Sequence, residues 1–155
     1  MTTQPTPPPA LTVLQLTEDI QERVKSAYES GKPLVFAYVD GNGQPSLSMR
    51  GSTQPYSETQ LAVWVRNPEG GLLKSLEANP RVTLMYRDTT PESRAMLQFR
   101  GRAHVENTPE VRKKVYESAP QAEQNADREQ KGIPIIIDLD SVDGMYPGAR
   151  VAMRK

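Results

Sequence analysis

The chain has 155 residues, of which 36% are hydrophobic and 25% charged, and its 19 basic residues balance 19 acidic ones. This length is typical of one domain, and the even charge argues against a nucleic-acid partner. The sequence has no cysteine for disulfides or thiolate chemistry, no apolar run that would span a membrane and no secretory signal pattern, so we expect a cytoplasmic protein without membrane contact.

The N-terminal part of the chain is predicted to change from an arm to a helix. Residues 1–10 contain four prolines and no apolar periodicity, so we predict a flexible arm over 1–15 and a single folded domain over 16–155. Thr17 is a residue type that caps helices, and two acidic residues follow it, which suits the positive end of a helix dipole. The sequence therefore predicts a helix over 17–30.

Most of the remaining chain shows the short apolar or alternating runs that are typical of strands. We predict strands over 34–40, 46–53, 61–66, 82–87, 95–105, 133–139 and 151–154. Helices are predicted over 70–79 and 109–118, with a more solvated one within 120–132. The acidic run DLDSVDG at 138–144 indicates the end of a strand and a turn. This order lacks the β-α-β alternation of a parallel sheet and favours a mainly β (α+β) fold, a small antiparallel barrel with flanking helices.

Two adjacent glycines stand where the short helix is predicted to begin. Because Gly70 and Gly71 have no side chain, a ligand could approach the backbone there, and the first turn of a helix has unpaired N–H groups that attract phosphate. Lys74 and Arg66 would add positive charge to such a site. The alternative is that the glycine pair only turns the chain between strand and helix.

The second predicted strand has an unusual polar face, formed by Ser48, Arg50 and Ser52. One explanation is a solvent-exposed outer face, and the other is a groove wall that hydrogen-bonds a planar heterocycle. Trp64, the only tryptophan, either fills the core or stacks on a ligand. His104 is the only histidine, so neither a histidine-based metal site nor a Ser-His-Asp hydrolase is expected.

Three segments in order, PLVFAYVDGNGQPSLSMRG, LEANPRVTLMYRD and QFRGRAHV, resemble the pyridoxamine 5'-phosphate oxidase-like family of FMN-binding split β-barrel proteins. The resemblance implies an antiparallel split β-barrel that forms a homodimer. It also implies that one FMN lies in each of two clefts between the subunits. In such proteins the cofactor carries the redox chemistry, so the expected function is that of an FMN-dependent oxidoreductase acting on an unidentified small molecule.

The resemblance places the FMN contacts on three segments and one further strand. The second-strand contacts are Ser48, Met49, Arg50, Gly51, Ser52 and Thr53, and the third-strand contacts are Val65 and Arg66. The phosphate contacts near the short helix are Gly70, Gly71, Leu72 and Lys74. A polar contact from the fifth strand falls near Met96, which is apolar, so Gln98 is the nearest candidate on the same face. The family's Ser-Arg-Lys phosphate clamp is replaced here by the Gly-Gly-Leu sequence.

That replacement leaves several interpretations open. The backbone with Lys74 and Arg66 could still hold the phosphate of FMN, less firmly than a bidentate arginine would. A wider glycine-rich opening would also suit a deazaflavin with a longer phosphodiester tail. A third interpretation is a non-catalytic flavin-binding, haem-binding or stress protein, with His104 as the only histidine for a haem. The C-terminal segment GMYPGARVAMRK lacks the arginine and histidine that bind substrate in the vitamin oxidase, so that activity is not expected.

Overall fold

The computed structural model describes residues 3–155, which form nine strands, four α-helices and one short 3-10 helix (Pro91–Ser93). The strands are β1 (Ala10–Val13), β2 (Val35–Val39), β3 (Pro45–Met49), β4 (Gln54–Ser57), β5 (Gln60–Val65), β6 (Arg81–Asp88), β7 (Ala95–Val105), β8 (Ile133–Tyr146) and β9 (Ala149–Arg154). The helices are α1 (Glu18–Ser26), α2 (Leu72–Ala78), α3 (Pro109–Ser118) and α4 (Gln121–Ala126). Within 3–155, no helix is long and apolar enough to cross a membrane.

The strands form one mixed sheet that is not closed into a barrel. Its order is β1-β9-β8-β7-β6-β2-β3, and β5 joins it by pairing with both β8 and β4. The mainly β class with flanking helices is confirmed, but the predicted antiparallel split barrel is wrong for this chain, whose sheet is mixed and does not close. The β1–β9 pair is parallel, and β3 and β4 each have a single strand partner because a turn separates them.

The long strand β8 belongs to two parts of the sheet. Its first half pairs with β5, its second half pairs with β9, and β7 runs antiparallel along both halves. The predicted turn at 138–144 is therefore wrong, because the segment continues as strand through Tyr146. The partners on either side satisfy its backbone hydrogen bonds, which a polar sequence alone does not reveal.

The core lies on one face of the sheet and is covered by α1 and α2. Its largest fully buried side chains include Phe36, Leu84, Phe99 and Ile137. A second buried cluster joins β5 and β8 to α3, and Trp64 is its largest member. The Trp64 ring packs against Tyr116 with 5.1 Å between ring centroids. Trp64 is therefore a core residue, the first of the two interpretations of its role.

The segment predicted as a flexible arm contains a strand near its C-terminal end. Residues 1–2 lie outside the described part, but β1 pairs with β9 and the amide of Leu14 donates to the carbonyl of Arg154 at 3.0 Å. Leu14 and Leu16 are buried. An arm over 1–15 is therefore wrong for its last third, because the open edge of β9 supplies a hydrogen-bonding partner that no local pattern shows.

Candidate functional site

The strand β3 exposes its apolar side chains and turns its polar ones inward, the reverse of the usual arrangement. Leu47 and Met49 point outward and are 73% and 67% exposed. Ser48 is the register partner of the fully buried Phe36, so the two side chains share the inner face. The Arg50 guanidinium lies over the Phe36 ring at 5.8 Å from its centroid. The polar face of β3 is therefore turned into the molecule, and the solvent-exposed explanation is wrong.

A cleft of about 420 Å³ opens where β3 turns towards β4. Its walls come from this turn, the C-terminal end of β5, the loop before α2 and the first turn of α4. The lining residues are Met49, Arg50, Gly51, Ser52, Trp64, Val65, Arg66, Asn67, Gly70, Leu72 and Glu123. Most of the predicted contacts thus meet in one place. The core residue Trp64, for which a ligand contact was one of two interpretations, also borders the cleft, and Asn67 and Glu123 are additions that the sequence did not indicate.

Five predicted contacts are not among the lining residues. Ser48 is inward-facing on β3, and Thr53 is buried next to the turn. Gly71 is the N-cap of α2, with a φ of 89°, and Lys74 is exposed on that helix. Gln98 lies on β7 in register with Asp143 of β8, on the outer face of the sheet. The assignment of these residues to a cofactor stays a prediction.

Two hydroxyl groups near the cleft are already used by the chain itself. The Oγ of Ser52 accepts a hydrogen bond from the amide of Trp64 and donates to its carbonyl, both at 3.0 Å. The Oγ1 of Thr53 donates to the carbonyl of Arg50 at 2.7 Å. These side chains fix the turn between β3 and β4, and their hydroxyls are committed to the backbone rather than to the cleft.

Two polar atoms on the inner face of β3 have no such partner. Ser48 Oγ and Arg50 Nε are buried and make no hydrogen bond to any group within residues 3–155. Burial lowers the pKa of Arg50, and the charge of Arg66 lowers it further, whereas Tyr38 and Glu123 act in the opposite direction. A guanidinium stays protonated in proteins. Arg50 therefore offers a poorly solvated positive charge and a free donor beside the cleft.

The loop before α2 shows which backbone N–H groups near Gly70 and Gly71 are free to bind a phosphate. The amide of Gly70 donates to the carbonyl of Asn67 at 3.2 Å, so this N–H is not free for a phosphate. The first amide that bonds back into the helix is that of Ser75, to Gly71 at 3.0 Å, so the preceding turn keeps free N–H groups. Because α2 has only seven residues, its dipole adds little to the positive charge of the cleft.

An ion pair crosses the cleft between the end of β5 and α4. Arg66 Nε lies 3.5 Å from Glu123 Oε2, and the two side chains are 54% and 15% exposed. Glu123 belongs to a charged segment that was predicted only as a solvated helix. No local pattern distinguishes its carboxylate from its exposed neighbours.

Metal-binding groups do not gather in the described part of the chain, where no set of three or more histidine, cysteine or acidic side chains could hold an ion. His104 on β7 contacts Asp138 at 3.1 Å and Glu106 at 3.4 Å. It is not among the residues that line the cleft.

Sequence comparison identifies the family. The family profile described as pyridoxamine 5'-phosphate oxidase matches residues 20–135, well over half of the chain. The chain belongs to the pyridoxamine 5'-phosphate oxidase family. This family member has no match among curated proteins.

Solved structures share the fold of this family member at low sequence identity. The HupZ protein of Group A Streptococcus is 15% identical, with 86% of this chain and 97% of that chain covered and a TM-score of 0.64. An FMN-binding protein from Syntrophomonas wolfei is 8% identical, with 82% and 86% covered and a TM-score of 0.63. A Clostridium acetobutylicum protein related to general stress protein 26 is 11% identical, with 89% and 96% covered and a TM-score of 0.63. These similarities establish a common fold.

Proposed function

We propose that this chain binds FMN in the cleft beside the β3–β4 turn and acts as a flavin-dependent oxidoreductase on a small molecule. The observation that carries the proposal is the unpartnered buried Nε of Arg50, a residue that lines a cleft of about 420 Å³, together with the unpartnered Oγ of Ser48 on the same inner side of the sheet. A buried polar atom without a partner costs about 1–3 kcal/mol. A polar heterocycle that hydrogen-bonds these atoms would remove that cost. The FMN-binding protein from Syntrophomonas wolfei, which has this fold, adds support.

Different residues of the cleft would contact the ring system and the phosphate of such a cofactor. The inner face of β3 and the turn after it would contact the ring system through Ser48 and Arg50. Arg66 and the loop around Gly70 would face the phosphate, with exposed Lys74 able to approach from α2. The positive charge of the arginines carries most of this attraction, because the short helix contributes little.

When bound, FMN supplies the hydride and electron transfer that side chains cannot perform. The residues of the chain would hold and orient the ring system and limit its contact with water. The titratable side chains in the cleft lining are Arg50, Arg66 and Glu123. Their assigned role here is binding, and the catalytic acid or base, if the reaction uses one, is not assigned.

The outer face of the sheet supports a homodimer. Leu47, Met49, Met96 and Met145 are between 47% and 73% exposed on this face. An apolar surface of this kind on a soluble protein marks an interaction site. We propose that a second copy covers it in a symmetric dimer. Gln98, which faces the same way, would then reach the cleft of the other subunit.

A charge on this face tests the dimer. We expect Met96→Asp to yield monomers at micromolar concentration in light scattering, because the carboxylate would be buried at the interface. Val105→Asp, at the far end of β7 and 43% exposed, is the matched control and should stay dimeric. A monomeric parent protein would refute the interface.

Flavin titration tests the binding site. We expect the protein to bind FMN with a change in flavin fluorescence, and Arg50→Met to weaken binding about tenfold or more, because it removes the buried charged donor. Arg128→Met, which changes an exposed arginine outside the cleft lining, should bind like the parent. A parent protein that binds no flavin, or an Arg50→Met variant with unchanged affinity, would contradict the proposal.

A deazaflavin is the second candidate, and the shape of the opening favours it. Gly71 is exposed, and no atom lies within 4 Å of the position that a Cβ would occupy there. A longer phosphodiester tail would therefore meet no obstacle at this edge. Mass spectrometry of the small molecule released by heating the purified protein distinguishes the two cofactors by mass. A non-catalytic carrier would bind flavin with the same residues, and steady-state turnover assays separate it from an enzyme.

A further inference from the structure

The cleft contains a carboxylate at the position where an anionic ligand would meet Arg66. Glu123 lies in the first turn of α4, and its Oε2 is 3.5 Å from Arg66 Nε. Its other oxygen, Oε1, would lie only 2.8 Å from a Cβ placed on Gly51. Glycine at that position therefore allows the carboxylate to approach the backbone of the β3–β4 turn. The chain thus supplies its own negative charge to the cleft.

Two hydrogen bonds at residues that follow Glu123 hold the backbone of α4 in place. The phenol of Tyr116 donates to the carbonyl of Gln124 at 3.0 Å. The indole Nε1 of Trp64 donates to the carboxylate of Asp127 at 2.8 Å. These bonds attach α4 to α3 at one point and to β5 at the other. The helix that carries Glu123 is therefore attached to the rest of the fold beside the cleft.

The charges that line the cleft are two positive ones, on Arg50 and Arg66, and one negative one, on Glu123. Arg50 responds to both neighbours, since the charge of Glu123 raises its pKa and that of Arg66 lowers it. A phosphate monoester carries up to two negative charges at neutral pH. To reach Arg66, the phosphate monoester would have to approach or displace the carboxylate of Glu123. An uncharged tail or a singly charged phosphodiester would meet less repulsion from that carboxylate.

We propose that Glu123 sets the charge selectivity of the cleft by weakening the binding of a flavin with a dianionic phosphate monoester relative to one with an uncharged or singly charged tail. This inference rests on the proposed flavin site. An ion pair with a half-exposed arginine contributes little to folding. The main effect of the carboxylate therefore falls on the ligand, which shares a less solvated cleft with it.

Titration with FMN and with riboflavin, which has no phosphate, measures this selectivity. We expect Glu123→Gln to raise the affinity for FMN about tenfold at low ionic strength and to change that for riboflavin less than about twofold. Glu129→Gln is the matched control, because it removes the same charge from an exposed side chain outside the cleft lining that pairs with Lys131 at 3.0 Å. This control should leave both affinities unchanged.

Riboflavin also reports whether the variant keeps the shape of the cleft, since a displaced α4 would lower both affinities together. If Glu123→Gln melts below the parent, Glu123→Ala repeats the measurement without an amide that needs partners. Flavin binding with an unchanged ratio of FMN to riboflavin affinity would overturn this inference alone. The absence of binding of either flavin to the parent and to both variants would overturn the proposed function, and this inference with it.

Discussion

The β7–β8 pair and the cleft beside the β3–β4 turn both contain arginines. Both arginines of the first region pair with carboxylates of β8, whereas one arginine of the second has a buried donor without an acceptor in the described part of the chain. In β7, Arg102 donates two hydrogen bonds to Asp140, at 3.2 and 3.1 Å, and Arg100 pairs with Asp143 at 3.1 Å. These bonds hold the pKa of Asp140 below its usual range. In the cleft, the buried Nε of Arg50 has no acceptor among the described residues.

The difference separates polar groups that are paired within the chain from buried polar atoms that are not. A buried polar group that is paired within the chain stabilises the structure, and one that is left unpaired lowers its stability until something binds. Substitutions at groups that are both buried and paired within the chain should therefore lower stability, whereas substitutions at the unpaired atoms should change ligand affinity with little loss of stability.

The largest loss of stability should come from adding a side chain where β7 and β8 are in close contact. Gly144 has a φ of 141°, and a Cβ there would collide with the carbonyl oxygen of Met96. We expect Gly144→Ala to lower the free energy of unfolding by about 4 kcal/mol or more in urea titrations followed by Trp64 fluorescence. Gly148→Ala, also at positive φ but with open space around the Cβ position, should cost only about 1–2 kcal/mol. Equal losses would show that the register of β7 against β8 is wrong.

Two serines next to the cleft should respond in opposite ways. Ser52→Ala leaves the buried amide and carbonyl of Trp64 without their partner, so we expect a loss of about 2 kcal/mol in the free energy of unfolding. Ser48→Ala removes a hydroxyl that has no partner and should leave the stability of the ligand-free protein unchanged or slightly higher. The same Ser48→Ala variant should bind flavin more weakly. If both variants lost the same stability, the contrast between paired and unpaired groups would fail.

Acid should weaken the hydrogen bonds of Asp88, a buried carboxyl at the end of β6 that is paired within the chain. The amide of Thr90 and the hydroxyl of Ser93, each at 2.8 Å, are the main causes that lower the pKa of Asp88 from 3.8 to about 2. A carboxyl with a lowered folded-state pKa stabilises the fold above its unfolded pKa, and this contribution is lost as the pH falls from about 4 towards 2.

We expect the melting temperature of the parent to fall through this pH range and that of Asp88→Asn to fall less, from a lower value at neutral pH. Asp19→Asn is the control, since its half-exposed carboxyl contacts only Arg23 and should keep the parent's acid response. A parent and an Asp88→Asn variant with parallel acid curves would contradict the assignment.

Substitutions that break the exposed ion pairs should have the smallest effect on the free energy of unfolding. Arg100 is 49% exposed, and its partner Asp143 keeps a second contact with Arg154 at 2.9 Å. We expect Arg100→Gln to change the free energy of unfolding by no more than about 0.5 kcal/mol. Chemical denaturation is the measurement, and a loss several times larger would mean that the pair is more deeply buried than its exposure indicates.

Long patterned segments were predictable from the sequence. The strand β7 (Ala95–Val105) and the helix α3 (Pro109–Ser118) have the predicted bounds, because one alternates over its length and the other has proline in its first turn. The strand β4 (Gln54–Ser57) and the second half of β8 were missed. Both exist because neighbouring strands satisfy their backbone groups, and such partners come from elsewhere in the chain.

The residues of the candidate site also divide into those that were predictable from the sequence and those that were not. The second-strand and third-strand residues came from a family resemblance, and most of them line the cleft. Glu123 was not found because it stands among other polar residues of α4, such as Gln121, Gln124 and Asn125, in a segment predicted to be solvated. Its inward orientation depends on the contact of Asp127 with Trp64, which joins distant parts of the sequence. Local patterns do not encode such contacts, and only the assembled fold shows which carboxylate enters the cleft.

The shared position of β8 has a consequence for how the molecule comes apart. One half of β8 pairs with β5 and the other half with β9, while β7 pairs with both halves. Removing either half of β8 from the sheet would therefore interrupt the continuous β7–β8 ladder. Opening of the central sheet should then be a single cooperative event rather than a stepwise fraying. The amides of Ile136 and Val142, one in each half, should exchange with deuterium at the same slow rate.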